Sequence, residues 1–180
     1  MRRSSHEHQK RAALPAILIA VVVTLAATAC DSPDRSFSTP DNICGIPAAE
    51  DVLSSLLDDG NELEQSTGYF SLPDGQLCHM YVDGNDSVVS EAQWHERGYE
   101  LRDLFQGKRI EGLRYIKEGQ YASWVRGVAT IISCPGVSKK GDVVSVEVRD
   151  INWSKESRAL LERLIPSYFD AYKDKLGCRG

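Results

Sequence analysis

The sequence contains few of the side chains on which catalysis usually depends. It has four histidines, and only His79 and His95 lie beyond the first eight residues. His95 begins the run His-Glu-Arg-Gly-Tyr, which lacks the second histidine of a zinc-protease helix. The chain also has no G-x-S-x-G elbow, phosphate-binding loop or dinucleotide fingerprint. The sequence therefore indicates no catalytic residue and no cofactor.

Closely spaced cysteine pairs are missing as well, which argues against a metal site or a C-x-x-C redox site. Apart from Cys30, the chain has four cysteines, which lie far apart at Cys44, Cys78, Cys134 and Cys178. An even number in an exported chain predicts two disulfides, with three possible connectivities. We favour the local pairs Cys44–Cys78 and Cys134–Cys178, each of which would join a helix end to a strand. The two crossed alternatives remain open.

An excess of positive charge is also missing. The whole chain has 21 basic and 26 acidic residues, and residues 1–29 hold four of the former and one of the latter. From Cys30 onward the balance is therefore 17 basic to 25 acidic residues. Nucleic-acid binding needs a basic face, and adhesion to anionic lipid needs a basic patch. The charge balance argues against both partners.

The first 30 residues do carry a clear pattern. A basic start with Arg2, Arg3, Lys10 and Arg11 precedes an almost uncharged apolar run that ends in Ala27-Thr28-Ala29-Cys30. This order is typical of an export signal, and the terminal cysteine suits a lipoprotein. We expect residues 1–29 to be the signal and Cys30 to carry lipid, which would hold the chain on the extracytoplasmic face of the cell membrane. The usual leucine three residues before the cysteine is here Ala27. Simple secretion is an alternative because the small residues near Ala27 and Ala29 also suit ordinary signal cleavage. An uncleaved anchor is another, because about 18 apolar residues are near the lower limit for a membrane span.

Beyond the signal, residues 30–42 are polar and predict a flexible tether, and residues 43–180 predict one domain. Apolar residues at helical spacing predict a helix over 47–59 and a long one from Ser154 to Leu176, ended by Gly177. The acidic residues after the first helix do not have the spacing of a calcium loop. Core packing suits the long helix better than a membrane surface.

Alternating patterns between the helices predict strands. They cover 68–72, 77–82, a start at 87–90 and a continuous run over 121–133. Lys139-Lys140-Gly141-Asp142 predicts a hairpin turn into a strand with Val144, Val146 and Val148. Residues 93–106 are ambiguous, because Leu101, Leu104 and Phe105 fit a short helix but Gly98 weakens it. The order predicts an α+β fold, an antiparallel sheet packed by an N-terminal and a long C-terminal helix and stapled by two disulfides.

These features together resemble a known group of proteins. The features are a helix after Cys44-Gly45, the run from Cys78 to Gly84, a hairpin, and a long helix ending in Leu176-Gly177-Cys178. They resemble small secreted actinobacterial lipoproteins of the Streptomyces type, which have four structural cysteines and no known function. The resemblance covers most of the chain beyond Cys30. It implies no reaction and no functional residue.

The remaining candidate sites are weak. Cys78 next to His79 resembles a nucleophile and its base in sequence only, because neighbours in a strand point to opposite faces. Trp94, Trp124 and Trp153 could line a sugar or peptide cleft, although aromatic residues more often form the core. We favour a non-catalytic binding module with an envelope-protein or cell-wall partner. A small cell-envelope hydrolase and a small-ligand-binding lipoprotein are the alternatives.

Overall fold

The structure, a computed structural model, describes residues 35–68 and 75–178. Within those ranges it has nine strands, two α-helices and a 3-10 turn at Asp103–Phe105. The strands are β1 Asn42–Ile43, β2 Ile46–Pro47, β3 Leu63–Gly68, β4 Gly75–Val82, β5 Asn85–His95, β6 Arg114–Ile116, β7 Tyr121–Trp124, β8 Gly127–Ser138 and β9 Gly141–Asp150. The helices are α1 Glu50–Leu56 and α2 Ser157–Leu176. The prediction of an antiparallel sheet with helices is thus confirmed.

Seven strands form one antiparallel sheet in the order β3-β4-β5-β9-β8-β7-β6. The sheet consists of two meanders, β3-β4-β5 and β6-β7-β8-β9, in which each strand pairs with the next along the chain. The meanders meet at a single seam, where β5 pairs with β9. Strands β1 and β2 form a separate two-stranded ribbon near the start of the domain.

Helix α2 covers the first face of the sheet. Its buried stripe faces alternate residues of β9, where Val144, Val146 and Val148 are buried. The stripe comprises Leu161, Leu164, Ile165, Tyr168, Phe169 and Tyr172. The helix ends at Gly177, whose φ of +72° suits glycine because it has no Cβ to clash. The periodicity of the sequence therefore predicted this helix and its buried side correctly.

The expectation of an N-terminal helix packed on the sheet is not supported. Only Glu50–Leu56 is helical, against the predicted 47–59, and this short helix contacts mainly α2. The backbone N–H of Leu57 closes the last turn on Leu53 O at 2.9 Å, and Leu57 itself is extended. All four apolar residues of the predicted stripe are buried, although Leu57 lies just beyond the helix that holds Val52, Leu53 and Leu56.

Several strand boundaries differ from prediction. The continuous run over 121–133 is two strands, because the chain turns at Val125–Arg126 between β7 and β8. Strand β3 lies at Leu63–Gly68, which the strand predicted over 68–72 overlaps only at Gly68, and residues 69–72 lie outside the described residues. Strand β5 extends to His95. Its extra length is fixed by pairing with β9, which local sequence does not reveal.

Both disulfides are formed between neighbouring cysteines along the chain. Cys44, between β1 and β2, pairs with Cys78 in β4, with Cα atoms 6.1 Å apart. Cys134 in β8 pairs with Cys178 just after α2, with Cα atoms 4.7 Å apart. The prediction of two disulfide bonds is confirmed. The second bond joins the end of α2 to a strand of the large sheet, as expected, whereas the first starts from the turn between β1 and β2 rather than from a helix end.

The chain is bonded to the domain from Arg35 onward. Arg35 forms a parallel bridge with Gly60, and the Ser36 N–H donates to Gly60 O at 2.8 Å. The Arg35 guanidinium also donates to Leu57 O at 2.8 Å. Part of the predicted 30–42 tether is therefore attached to the folded body. The predicted signal and the lipid-acceptor Cys30 lie outside the described residues.

Candidate functional site

The second face of the sheet, opposite α2, carries a polar cluster at the seam between the meanders. Alternation along β9 places Ser145, Glu147 and Arg149 on this face, because their valine neighbours point to α2. In the register of β5 with β9, Glu91 lies directly opposite Glu147. Two carboxylates in this position repel each other unless a cation lies between them.

Arg149 supplies that cation. Its Nη2 donates to Glu91 Oε2 at 3.0 Å, and its Nε lies 3.0 Å from Glu147 Oε1. The second contact is an ion pair without hydrogen-bond alignment, since Nε has no hydrogen-bond partner. Burial is the main reason that the pKa of the Glu147 carboxyl is raised, and repulsion from Glu91 adds to it. Attraction to Arg149 and Lys108 acts in the opposite direction but does not cancel the shift.

The loop between β5 and β6 covers part of the second face. Its Leu101 and Phe105 pack with Ala122, Trp124 and Ala129 of the sheet as a second apolar cluster. The Phe105 and Trp124 rings meet edge to face, with centroids 5.4 Å apart. The indole of Trp124 lies across Gly127, where a Cβ would stand 2.7 Å from Trp124 Cη2 and closer to two other ring atoms. Glycine at this position therefore makes room for the ring.

A cleft of about 310 Å³ opens between this loop and the sheet, and we call it the Trp124 cleft. Its apolar lining is Phe105, Ile110, Trp124 and Ile151. Charged residues complete it, namely Lys108, Arg126, Glu147, Arg149 and Asp150. The side chain of Asp150, unlike that of its neighbour Arg149, points to the α2 face, where it meets Ser157. Burial raises the pKa of the Asp150 carboxyl, and a hydrogen bond from Ser157 opposes the shift. The cleft thus combines an aromatic floor with an ion cluster of which Glu147 and Arg149 are part.

Two further cavities lie elsewhere. One of about 470 Å³ is bordered by Tyr99, Arg102 and Tyr115, on the other side of the covering loop. Another of about 290 Å³ lies between the edge of β8 and α2, near Phe169 and Lys173. Neither cavity is lined by the ion cluster of Glu91, Glu147 and Arg149, so the Trp124 cleft is the better candidate for a specific ligand site.

A serine and a histidine lie together on the same face. His95 Nε2 is 2.8 Å from Ser145 Oγ, and the Tyr99 ring stacks on the imidazole with centroids 3.7 Å apart. Desolvation lowers the pKa of His95, which favours the neutral ring. A nucleophile and its base need such a distance, but Ser145 is only 4% exposed. The Ser145 hydroxyl also donates to Gln93 O at 3.4 Å, so protein groups occupy both sides of it.

The other residues singled out in the sequence are separated by the fold. His79 Nδ1 contacts Asp86 Oδ1 at 2.5 Å and its ring stacks on Tyr81, while Cys78 is in a disulfide. Trp94 packs against the main core. Trp124 forms the cleft floor, and Trp153 lies under the guanidinium of Arg126 at the rim. Of the three tryptophans, the structure thus places only Trp124 in the lining of the cleft, and Trp153 touches it through Arg126.

The ion cluster of Glu91, Glu147 and Arg149 was not predicted from the sequence. One signal was visible, because Ser145, Glu147 and Arg149 alternate with three valines in a half-exposed strand. The position of Glu91 opposite Glu147 depends on the seam between β5 and β9, which joins residues far apart in the chain. No local pattern identifies that pairing.

Comparison with known proteins adds no identification. The chain matches no protein-family model, no curated protein and no solved structure.

Among the described helices, none is long and apolar enough to cross a membrane. In the same residues, no three His, Cys, Asp or Glu side chains are grouped so that they could hold a metal ion. The site must therefore be interpreted from its own geometry.

Proposed function

We propose that the chain is an exported lipoprotein, held through Cys30 on the extracytoplasmic face of the cell membrane, whose domain is a non-catalytic binding module. The observation that carries the binding role is the Trp124 cleft, where an aromatic floor adjoins the ion cluster of Glu91, Glu147 and Arg149. Cavities of this size and mixed lining are typical of ligand sites. Two disulfides suit a protein that functions outside the cytoplasm.

The ion cluster favours binding over hydrolysis. A glycoside-hydrolysing pair needs one carboxyl group on each side of the bond that breaks, with space between them. Here Arg149 contacts both Glu91 and Glu147, and only Glu147 lines the cleft. Both carboxylates thus have a cation as their partner, and the cluster can fix the wall of a binding site. A partner in the envelope, either a protein or a cell-wall component, fits the proposed location.

The binding role can be tested with 5-fluorotryptophan-labelled protein. The fluorine resonances of Trp94, Trp124 and Trp153 would be assigned by single Trp→Phe variants. Lipid, protein and cell-wall fractions of the envelope would then be added in turn. We expect one fraction to shift the Trp124 resonance and to leave that of Trp94, which lies in the main core, unchanged. Absence of any shift, or turnover of a cell-wall fragment that Glu147→Gln abolishes, would overturn the proposal.

The anchor needs a separate experiment. The full chain would be expressed in a bacterium that processes lipoproteins, and the mature N-terminus would be analysed by mass spectrometry. We expect a diacylglyceryl group on Cys30 and release of a Cys30→Ser variant from the membrane. An unmodified N-terminal peptide starting near Cys30 would show simple secretion instead. This result would leave the binding role of the domain untouched.

A further inference from the structure

We infer that the Trp124 cleft binds a small aromatic carboxylate, with its ring on the aromatic floor and its acidic group between Lys108 and Arg126. This inference rests on the proposed binding function and specifies its ligand. It depends on the apolar surface at the mouth of the cleft, on the distribution of ion pairs and on the size of the cavity.

The mouth of the cleft exposes apolar surface that water solvates poorly. Ile151, which lines it, is 36% exposed, and Trp153, which stacks beneath Arg126 at the rim, is 38% exposed. Phe105 and Trp124 beneath them are nearly buried. A flat aromatic body could extend from the floor to the rim and remove these surfaces from water, which is favourable in proportion to the area covered.

The cations of the cleft differ in whether a carboxylate pairs with them. Arg149 is paired with Glu91 and Glu147. By contrast, no carboxylate in the described ranges lies within ion-pair distance of Lys108 or Arg126. Lys108 acts on Glu147 only at longer range, and the Arg126 guanidinium lies 5.0 Å from the centroid of the Trp153 ring. Two cations at the cleft are therefore available to a ligand.

The anions of the cleft are already engaged. Glu147 has Arg149 as its partner, and Asp150 accepts a hydrogen bond from Ser157. A cationic ligand would have to approach past Lys108 and Arg126, which would repel it. A carboxylate meets two unpaired cations instead, and a planar guanidinium suits the planar carboxylate group. The local charge thus favours an anion although the whole chain is acidic, with a formal net charge of −5.

The volume limits the ligand. About 310 Å³ lies at the lower end of the range of roughly 300–1,000 Å³ for small-molecule sites. The cleft therefore suits one or two fused rings with a short acidic substituent.

Three naphthalene probes of matched shape test the inference, namely 2-naphthoate, 2-naphthalenemethanol and 2-naphthylmethylammonium. Binding to the disulfide-bonded domain at pH 7 would be followed by the fluorine resonance of Trp124. We expect the naphthoate to bind most tightly and the ammonium most weakly, and added salt to weaken naphthoate binding through screening. The Lys108→Gln/Arg126→Gln variant should lose about tenfold in naphthoate affinity and keep its affinity for the alcohol.

The control variant is Lys117→Gln/Lys139→Gln, which removes two exposed lysines from turns away from the cleft. It makes the same change in net charge and should bind naphthoate as the parent does. Three results would overturn the inference but leave a ligand-binding cleft. They are equal binding of naphthoate and alcohol, stronger binding of the ammonium, and an unchanged naphthoate affinity in the Lys108→Gln/Arg126→Gln variant. If none of the three probes binds or shifts the Trp124 resonance, the inference is overturned. If the envelope fractions also leave the Trp124 resonance unchanged, the proposed binding role of the cleft is overturned as well.

Discussion

Replacing Gly127 with alanine should destabilise the protein and disturb the Trp124 cleft. The added Cβ would stand 2.7 Å from Trp124 Cη2 and closer to two other ring atoms, so the indole must move. The rigid ring is packed against Phe105 and cannot yield without loosening the second apolar cluster. Gly127 has no positive φ, so backbone strain does not contribute.

The magnitude follows from two opposing effects. Overpacking a core typically costs about 1–3 kcal/mol. Alanine in place of glycine restricts the unfolded chain, which raises the free energy of unfolding by about 0.4–1 kcal/mol. We therefore expect a net loss of roughly 1–2 kcal/mol in the free energy of unfolding, measured by urea denaturation. The Trp124 fluorine resonance should shift, and naphthoate affinity should fall.

Gly68→Ala is the matched control. Gly68 lies at the end of an edge strand, and a Cβ there would meet no atom within 4 Å. Its free energy of unfolding should exceed that of the parent by up to about 1 kcal/mol, because alanine restricts the unfolded chain and meets no atom in the folded one. If Gly127→Ala costs no more than Gly68→Ala and leaves the Trp124 resonance in place, the argument that glycine makes room for the cleft floor is refuted.

Three further predictions concern the stability of the domain. Tyr168 OH is 2.7 Å from Ser90 Oγ in the core, so Tyr168→Phe and Ser90→Ala should each cost about 1–3 kcal/mol. The double variant should cost much less than their sum in urea denaturation, and additive costs would contradict the bond. Burial raises the pKa of the Glu147 carboxyl in the folded protein above its value near 4.5 in the unfolded chain. Glu147 therefore stabilises the fold most at pH values below about 4.5, and this contribution declines as the pH rises through the pKa of the folded state. The melting temperature of Glu147→Gln relative to the parent should therefore rise between pH 4 and 7, and a constant difference would refute this sign. Cys134→Ala/Cys178→Ala opens a loop with a sequence separation of 44 residues and should cost about 4 kcal/mol on the chain-entropy model. A loss below about 1 kcal/mol in urea denaturation would argue against that model here.

Local patterns predicted the elements that local forces determine. The long C-terminal helix follows from its apolar stripe and from Gly177, and the β8–β9 hairpin follows from the turn at Lys139–Asp142. The break between β7 and β8 was missed because Val125-Arg126 carries none of the usual hairpin-turn residues. Strand β3 was missed because it lies at the sheet edge, where most of its side chains are exposed.

The candidate site was less predictable than the fold. Trp124 was recognised as an aromatic residue that could line a cleft, but its partner Phe105 comes from a loop whose position depends on tertiary packing. The contact of Arg149 with Glu91 requires that two meanders meet in one register. A shift of one residue at that seam would move every side chain of β9 to the other face. Only the assembled sheet therefore reveals the site.

The arrangement of the disulfides has a consequence for the order of folding. Cys44–Cys78 lies wholly within the first half of the chain, and Cys134–Cys178 lies wholly within the second. Neither bond crosses the seam between β5 and β9, which is the long-range contact of the sheet. Each half can therefore form its disulfide without waiting for the other. Joining the halves remains a separate step whose rate is set by the topology of the sheet rather than by thiol chemistry.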